Sequence, residues 1–210
     1  MSDLKTITET LISGDGDTLM VQVKEALDQG IPAGKILSDA LIAGMDIVGE
    51  RMETGEMFIP EVLMSAQAMG EAVEILKPLL AEGETSTAGR VIIGTVKGDL
   101  HDIGKNLVVM MMESAGFEVT DLGVDVDADA FMKAIEELNP HIVGLSALLT
   151  TTMPAMRDTV DKIAQAGKKD TIKIMVGGAP VNQAFADEIG ADAYASDAGS
   201  ACKLAKAMLR

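Results

Sequence analysis

The chain has 210 residues, 33 Asp and Glu against 17 Lys and Arg, and a formal net charge of -16. That balance argues against nucleic-acid binding, which needs Lys and Arg to displace counterions from phosphates, and against an anionic membrane surface. A single Cys, Cys202, leaves no internal disulfide framework. The start, Met1-Ser2-Asp3-Leu4-Lys5, lacks the pattern of a signal peptide, and no apolar stretch is long enough to span a bilayer, so a cytoplasmic protein is the expectation.

Hydrophobic residues make up 48% of the chain but aromatics only 2%, so 15 Met share the work of filling the core. The first 80 or so residues read as helices. Leu4, Ile7 and Leu11 mark one. Asp17 is a candidate cap for a second, with Leu19, Val23, Ala26 and Leu27 on one face and Gly30 at its end. Pro32 opens a third, striped by Leu37, Leu41, Met45, Val48 and Met52. Pro60 opens a fourth, striped by Val62, Ala66, Met69, Val73, Leu76 and Leu80. Four amphipathic helices with short connections predict a small bundle over residues 1–82. Residues 83–89 are small and polar without a period and read as a linker.

From residue 90 the pattern changes. A β-branched run at 90–96 reads as a buried strand, and a helical pattern follows over 102–115 with Gly116 placed to end it. Further strands are expected at 117–122, 141–146, 172–176 and 191–195, alternating with helices at 127–138, 153–166, 182–189 and 198–209. Cys202 in the last helix reads as a small packing residue. Strict alternation implies an α/β fold with a parallel, doubly wound sheet. Five strands over residues 90–210 suit the flavodoxin-like order 2-1-3-4-5.

In that order strands one and three meet at the topological switch point, where ligands bind beyond the strand ends. The loops that converge there are Lys97-Gly98-Asp99-Leu100-His101-Asp102-Ile103-Gly104, Ser146-Ala147-Leu148-Leu149-Thr150-Thr151-Thr152, and Gly177-Gly178-Ala179-Pro180. His101 taken alone reads as a solvated loop residue beside Asp102, a helix cap. Asp99, two residues earlier, is placed to hold one imidazole nitrogen, and a carboxylate-oriented His at a switch point reads as a metal ligand. No second His or Cys lies near, because His141 starts strand three at its far end, so a conventional zinc site lacks ligands. A lone His suits a metal already held by a macrocycle. Neither a Walker sequence nor G-x-G-x-x-G is present, which argues against nucleotides.

The run from Asp99 through His101 to Gly104 resembles the Asp-x-His-x-x-Gly motif of cobalamin-binding domains, and Ser146-Ala147-Leu148 and Gly177-Gly178 resemble that family's companion motifs. With a helical half in front, nearly the whole chain is similar to the cobalamin-binding fragment of methionine synthase. It is more similar still to the stand-alone corrinoid proteins of methylamine, methanol and betaine methyltransferase systems. The resemblance implies a cobalamin or related corrinoid, with His101 as the lower cobalt ligand in place of the cofactor's own base. It further implies a relay through Asp99 to the hydroxyl of Thr152, which stands where the family has Ser. Gly98, Leu100, Asp102 and Gly104 complete the motif loop. Ser146, Leu148 and Thr150 would contact the nucleotide tail, Gly177 and Gly178 would line its slot, and Ala198 would close the far side. Met52 and Ile59 fall at positions that cap the upper corrin face. Met52 departs from the aromatic residue of methionine synthase.

The function implied is carriage of a methyl group on cobalt. The resemblance supplies the partners: a substrate-specific methyltransferase, an acceptor methyltransferase using coenzyme M or tetrahydrofolate, and a reductive activase. The alternatives are a corrinoid-dependent mutase subunit, a cobalamin sensor, and a response module without cofactor. The first resembles the second half only, and no residues remain for the second's output domain.

Overall fold

Short polar caps divide the helical half into its elements. The computed structural model describes residues 3–80 and 88–209, so positions 83–87 of the expected linker lie outside the described residues. Helix α1, Leu4–Ser13, starts at Asp3, whose carboxylate accepts from Thr6 N at 2.8 Å, and stops at Gly14 in the left-handed region. Helix α2, Gly16–Asp28, is capped by Asp15, which accepts from Thr18 N at 3.1 Å. Asp17, the expected cap, sits instead in the first turn, because the left-handed Gly14 turns the chain two residues sooner. There its charge still favours the helix N-terminus.

Pro32 precedes helix α3, Ala33–Ile36, which runs through a π-helical segment, Leu37–Ile42, into α4, Ala43–Glu53. The wider π turn slips the helix phase by about one residue. The buried face therefore holds Ile36, Ala40, Leu41, Met45 and Val48, while Leu37 and Met52 of the expected stripe are half-buried. Helix α5, Ile59–Leu76, has Pro60 in its first turn, and the Glu61 carboxylate accepts from Phe58 N at 2.9 Å. It buries Val62, Ala66, Met69 and Leu76, then tightens into a 3₁₀ turn, Lys77–Leu79. Helix α1 packs on α2 and α4, and α5 packs on α2 and α4, closing a four-helix bundle.

The second unit, Ala88–Glu113 with Phe117–Arg210, is an α/β layer structure. Its strands are β1 Arg90–Thr95, β2 Glu118–Asp121, β3 Ile142–Ser146, β4 Lys173–Gly177 and β5 Ala193–Ala195. They form one parallel sheet in the order β2-β1-β3-β4-β5. The connecting helices are α6 Ile103–Ser114, α7 Ala128–Leu138, α8 Met153–Gln165 and α9 Gln183–Ile189, and α10 Ala198–Met208 follows β5. The core joins Ile92, Phe131, Val143, Met156, Ile174 and Val176. Gly94 lies under the Phe131 ring, where a Cβ would come within 2.8 Å of Cζ. Strand β2 is an edge and is mostly exposed, whereas β1 and β3, with a strand on either side, are buried almost throughout. Cys202 is buried on the inner side of α10. No helix among the described residues is long and apolar enough to cross a membrane.

This order places β1 beside β3, with Thr95 level with Ser146 and Ser146 level with Gly177. The three loops singled out in the sequence therefore leave the sheet side by side at its carboxyl edge.

Candidate functional site

The site is built around a carboxylate with no solvent exposure. The backbone of β1 ends in a turn in which Asp99 N donates to Val96 O at 3.1 Å and Gly98 takes φ 83, a conformation suited to glycine. This turns the Asp99 side chain inward, to 0% exposure. Among the described residues its two oxygens accept five hydrogen bonds. Oδ2 accepts from Leu148 N at 2.7 Å, Leu149 N at 3.3 Å and Thr152 Oγ1 at 2.8 Å. Oδ1 accepts from His101 N at 3.1 Å and faces His101 Nδ1 at 2.6 Å. Burial pushes the Asp99 carboxyl up, but the donors from Leu148, His101 and Thr152 outweigh it and hold the group well below the usual carboxylate range. Asp99 is therefore an anion at neutral pH.

An anionic acceptor at Nδ1 fixes the imidazole tautomer. The ring carries its hydrogen at Nδ1, and Nε2 keeps a lone pair for a ligand. The His101 side chain is 50% exposed. Its backbone is held independently, because the buried Thr95 Oγ1 donates to His101 O at 2.8 Å. Thr152 is buried at the start of α8, and its one hydroxyl hydrogen has Leu149 O as a second acceptor at 2.9 Å. The anion is the better of the two.

The remaining expected site residues fall into four groups. Asp102 and Gly104 are exposed at the start of α6, where Asp102 O accepts from Asn106 N at 2.7 Å and its carboxylate from Asn106 Nδ2 at 3.3 Å. Ser146 and Gly177 are half-buried at the ends of β3 and β4, and Thr150 is exposed in the loop between Leu149 and Thr152. Ala198 is buried in the first turn of α10, next to Asp197, which caps that helix by accepting from Ser200 N at 2.7 Å. Met52 is half-buried at the end of α4, and Ile59 is 50% exposed at the start of α5, both within the helical unit.

The two adjacent glycines have a packing requirement of their own. A Cβ on Gly178, which has φ 120, would lie 1.9 Å from Ala147 O, and one on Gly177 would lie 3.0 Å from Ala195 O. Glycine here lets neighbouring strand ends approach closely, a need that sequence reasoning assigned only to a ligand.

Sequence reasoning also passed over Ile103 and Leu149. Leu100 is 72% and Ile103 83% exposed on the loop of His101, and Leu148 and Leu149 are each 41% exposed on the loop of Thr152. Four uncovered aliphatic side chains around one half-exposed imidazole fit a flat, largely apolar group coordinated from below. No three His, Cys, Asp or Glu among the described residues are grouped to hold a bare ion. A single oriented imidazole on an apolar surface is the donor set expected for a metal that brings its own equatorial ligands.

A doubly wound domain with this His–Asp–Thr chain at its switch point defines a binder of metal macrocycles, and the comparisons say which. The description "B12 binding domain" applies to two family matches, one over residues 89–203 and another over residues 4–77. Dimethylamine corrinoid protein 1 of Methanosarcina acetivorans is 44% identical over 207 residues, covering 98% of this chain and 97% of its own. The crystal structure of a cobalamin-binding protein from Desulfitobacterium hafniense superposes with a TM-score of 0.85 at 34% identity, covering 99% of each chain. A chain of the methanol:cobalamin methyltransferase complex of Methanosarcina barkeri gives a TM-score of 0.82 at 33% identity, covering 97% of this chain and 78% of that one. The protein belongs to the B12-binding corrinoid proteins of methyltransferase systems, and its cofactor is a cobalt corrinoid.

Proposed function

We propose that this chain carries a methyl group between two methyltransferases. One takes it from a methylamine-class donor, as the names of the dimethylamine corrinoid proteins suggest. The other delivers it to coenzyme M or tetrahydrofolate, and a reductive activase restores the carrier when it is oxidised. The corrinoid supplies, when bound, a reduced cobalt able to accept a methyl group and release it to a nucleophile.

The observation that carries this reading is the buried Asp99 holding Nδ1 of a half-exposed His101. In the proposed roles, Nε2 of His101 is the lower ligand. Asp99 stabilises positive charge on the ring, and Leu148 N, Leu149 N and Thr152 Oγ1 keep Asp99 ionised and in place. Were a bound metal to leave Nε2, the Asp99 carboxylate at Nδ1 would stabilise a proton taken up by the ring, which would couple ligation to proton uptake. Leu100, Ile103, Leu148 and Leu149 exclude water beneath the macrocycle. Gly98, Asp102 and Gly104 shape the loop. Ser146, Thr150, Gly177, Gly178 and Ala198 accommodate the cofactor's tail. In the same reading residues 1–82 would serve as the cap and 90–210 as the cobalamin-binding domain, with Met52 and Ile59 as the helical unit's candidate cofactor-binding residues.

The test is reconstitution with hydroxocobalamin followed by visible spectroscopy. The expected product is a stoichiometric red complex with a His-on spectrum, converted to base-off by His101→Ala. A folded His101→Ala protein with the wild-type spectrum would overturn the ligand assignment. A reconstituted protein whose cobalt has been chemically reduced to the +1 state, and which then accepts no methyl group from a methylamine with its methyltransferase present, would overturn the carrier role.

A further inference from the structure

The turn that follows β2 grips the His101 loop from the side opposite the Thr152 loop. Thr95 N donates to Gly123 O at 2.9 Å, and Val126 N donates to Thr95 O at 3.0 Å, so this turn continues the pairing of β1 past the end of the sheet. At its centre Asp125 has φ 54, in the left-handed region that residues other than glycine enter at a cost, Asp and Asn least. Its N–H donates to Asp99 O at 3.0 Å, and its Oδ1 accepts from Gly98 N at 2.8 Å. One residue thus bonds both sides of the Gly98–Asp99 step. Lys97 Nζ adds an exposed ion pair to Oδ2 at 3.2 Å.

A second grip lies four residues earlier. Asp121, the last residue of β2, accepts from Lys105 Nζ at 2.5 Å, and its other oxygen accepts from Gly123 N at 2.9 Å. The Lys105 side chain is 1% exposed although it sits in the first turn of α6. The segment 121–125 therefore holds the loop before His101 through Gly98 and Asp99, and after it through Lys105.

We propose that Asp125 is a positioning residue for the lower ligand: its carboxylate and backbone N–H fix the Gly98–Asp99 step from which His101 projects. This rests on the assignment of His101 as the cobalt ligand. Cobalt and a proton compete for Nε2. A loop freed to move weakens ligation without altering the imidazole itself, so the proton wins at a higher pH.

The test compares Asp125→Gly and Asp125→Asn with His101→Ala and Lys97→Ala in the corrinoid-loaded full chain. Glycine keeps the left-handed backbone and removes the acceptor; asparagine keeps both backbone and acceptor. Losing one bond to a charged acceptor at a partly exposed position is expected to weaken ligation roughly fivefold to tenfold. The His-on to base-off midpoint should then rise by about one pH unit in Asp125→Gly. Asp125→Asn should recover most of that shift, and Lys97→Ala should stay near wild type, since an exposed pair contributes little. In the cofactor-free protein the Gly98 amide should exchange faster in Asp125→Gly and not in Asp125→Asn. An unmoved midpoint in Asp125→Gly, with His101→Ala base-off, would overturn the positioning role alone. Equal shifts for glycine and asparagine would assign the effect to the carboxylate's charge and also overturn it. An unchanged His101→Ala spectrum would instead remove the ligand assignment beneath it.

Discussion

Asp99→Asn changes one oxygen of the central carboxylate into an NH₂ group and nothing else in outline. Three donors converge on Oδ2 and two on Oδ1, so the amide should turn its oxygen to Leu148, Leu149 and Thr152 and its NH₂ to His101. The NH₂ then faces His101 N, where a bond is lost, and Nδ1, where the hydrogen bond must reverse. The ring responds by moving its hydrogen to Nε2, the atom assigned to cobalt. Replacing one charge-assisted bond by a donor–donor contact costs about 1.5–3 kcal/mol, and turning three others neutral adds roughly 0.5 kcal/mol each. The expected loss in the cofactor-free protein at pH 7 is about 3–4.5 kcal/mol, read from urea denaturation. Because the folded pKa of Asp99 lies below its unfolded value, its contribution is complete above about pH 4 and is lost as pH falls further. The gap between wild type and variant should therefore narrow below about pH 4. Nitrogen-15 NMR of the imidazole should show Nδ1 protonated in wild type and Nε2 protonated in the variant. Equal stability at pH 7, or the same tautomer in both, would refute the account of Asp99 as the group that sets the ring.

Thr152→Val removes a buried hydroxyl donor while keeping the shape and should cost about 1–2 kcal/mol; Thr152→Ser should stay within about 0.5 kcal/mol, both by chemical denaturation. Gly178→Ala forces a Cβ against Ala147 O at a left-handed φ and should destabilise by about 3 kcal/mol or more, or leave no soluble folded protein. Asp121→Ala removes the charged partner of the buried Lys105 ammonium, leaving it the neutral Asn106 Oδ1 at 2.6 Å, and should cost about 3 kcal/mol, whereas Lys105→Met leaves Asp121, 35% exposed, in contact with water and should cost less than half as much.

The sheet was legible because its inner strands are buried on both faces. A run such as Val91-Ile92-Ile93 has no polar residue to confuse its period, and Gly116 and Pro154 punctuate the helices on either side. Strand order followed from the alternation alone. The helical half was legible in number but not in phase, since nothing in Leu37-Ser38-Asp39-Ala40 announces a π turn, and the slip it causes moves Leu37 out of the expected face, while Met52 is half-buried in the last turn of α4. Asp15 and Asp17 are chemically equal caps, and only the left-handed Gly14 decides between them.

Within the site, legibility followed distance along the chain. Asp99 and His101 are two residues apart, so their partnership follows from local chemistry, and Thr152 followed from the motif it belongs to. Asp125 bonds a residue 27 positions away, a pairing set by where β2 ends relative to β1. Lys105 looks like the polar side of an amphipathic helix, yet it is buried because Asp121 ends the neighbouring strand beside it. Ile103 looks like core for the converse reason. It occupies an apolar position of a helical pattern, but at the first residue of α6, beyond the edge of the sheet, it is 83% exposed among the described residues. Residues whose environment departs from their pattern thus collect at the carboxyl edge, where the sheet stops supplying neighbours and a ligand must.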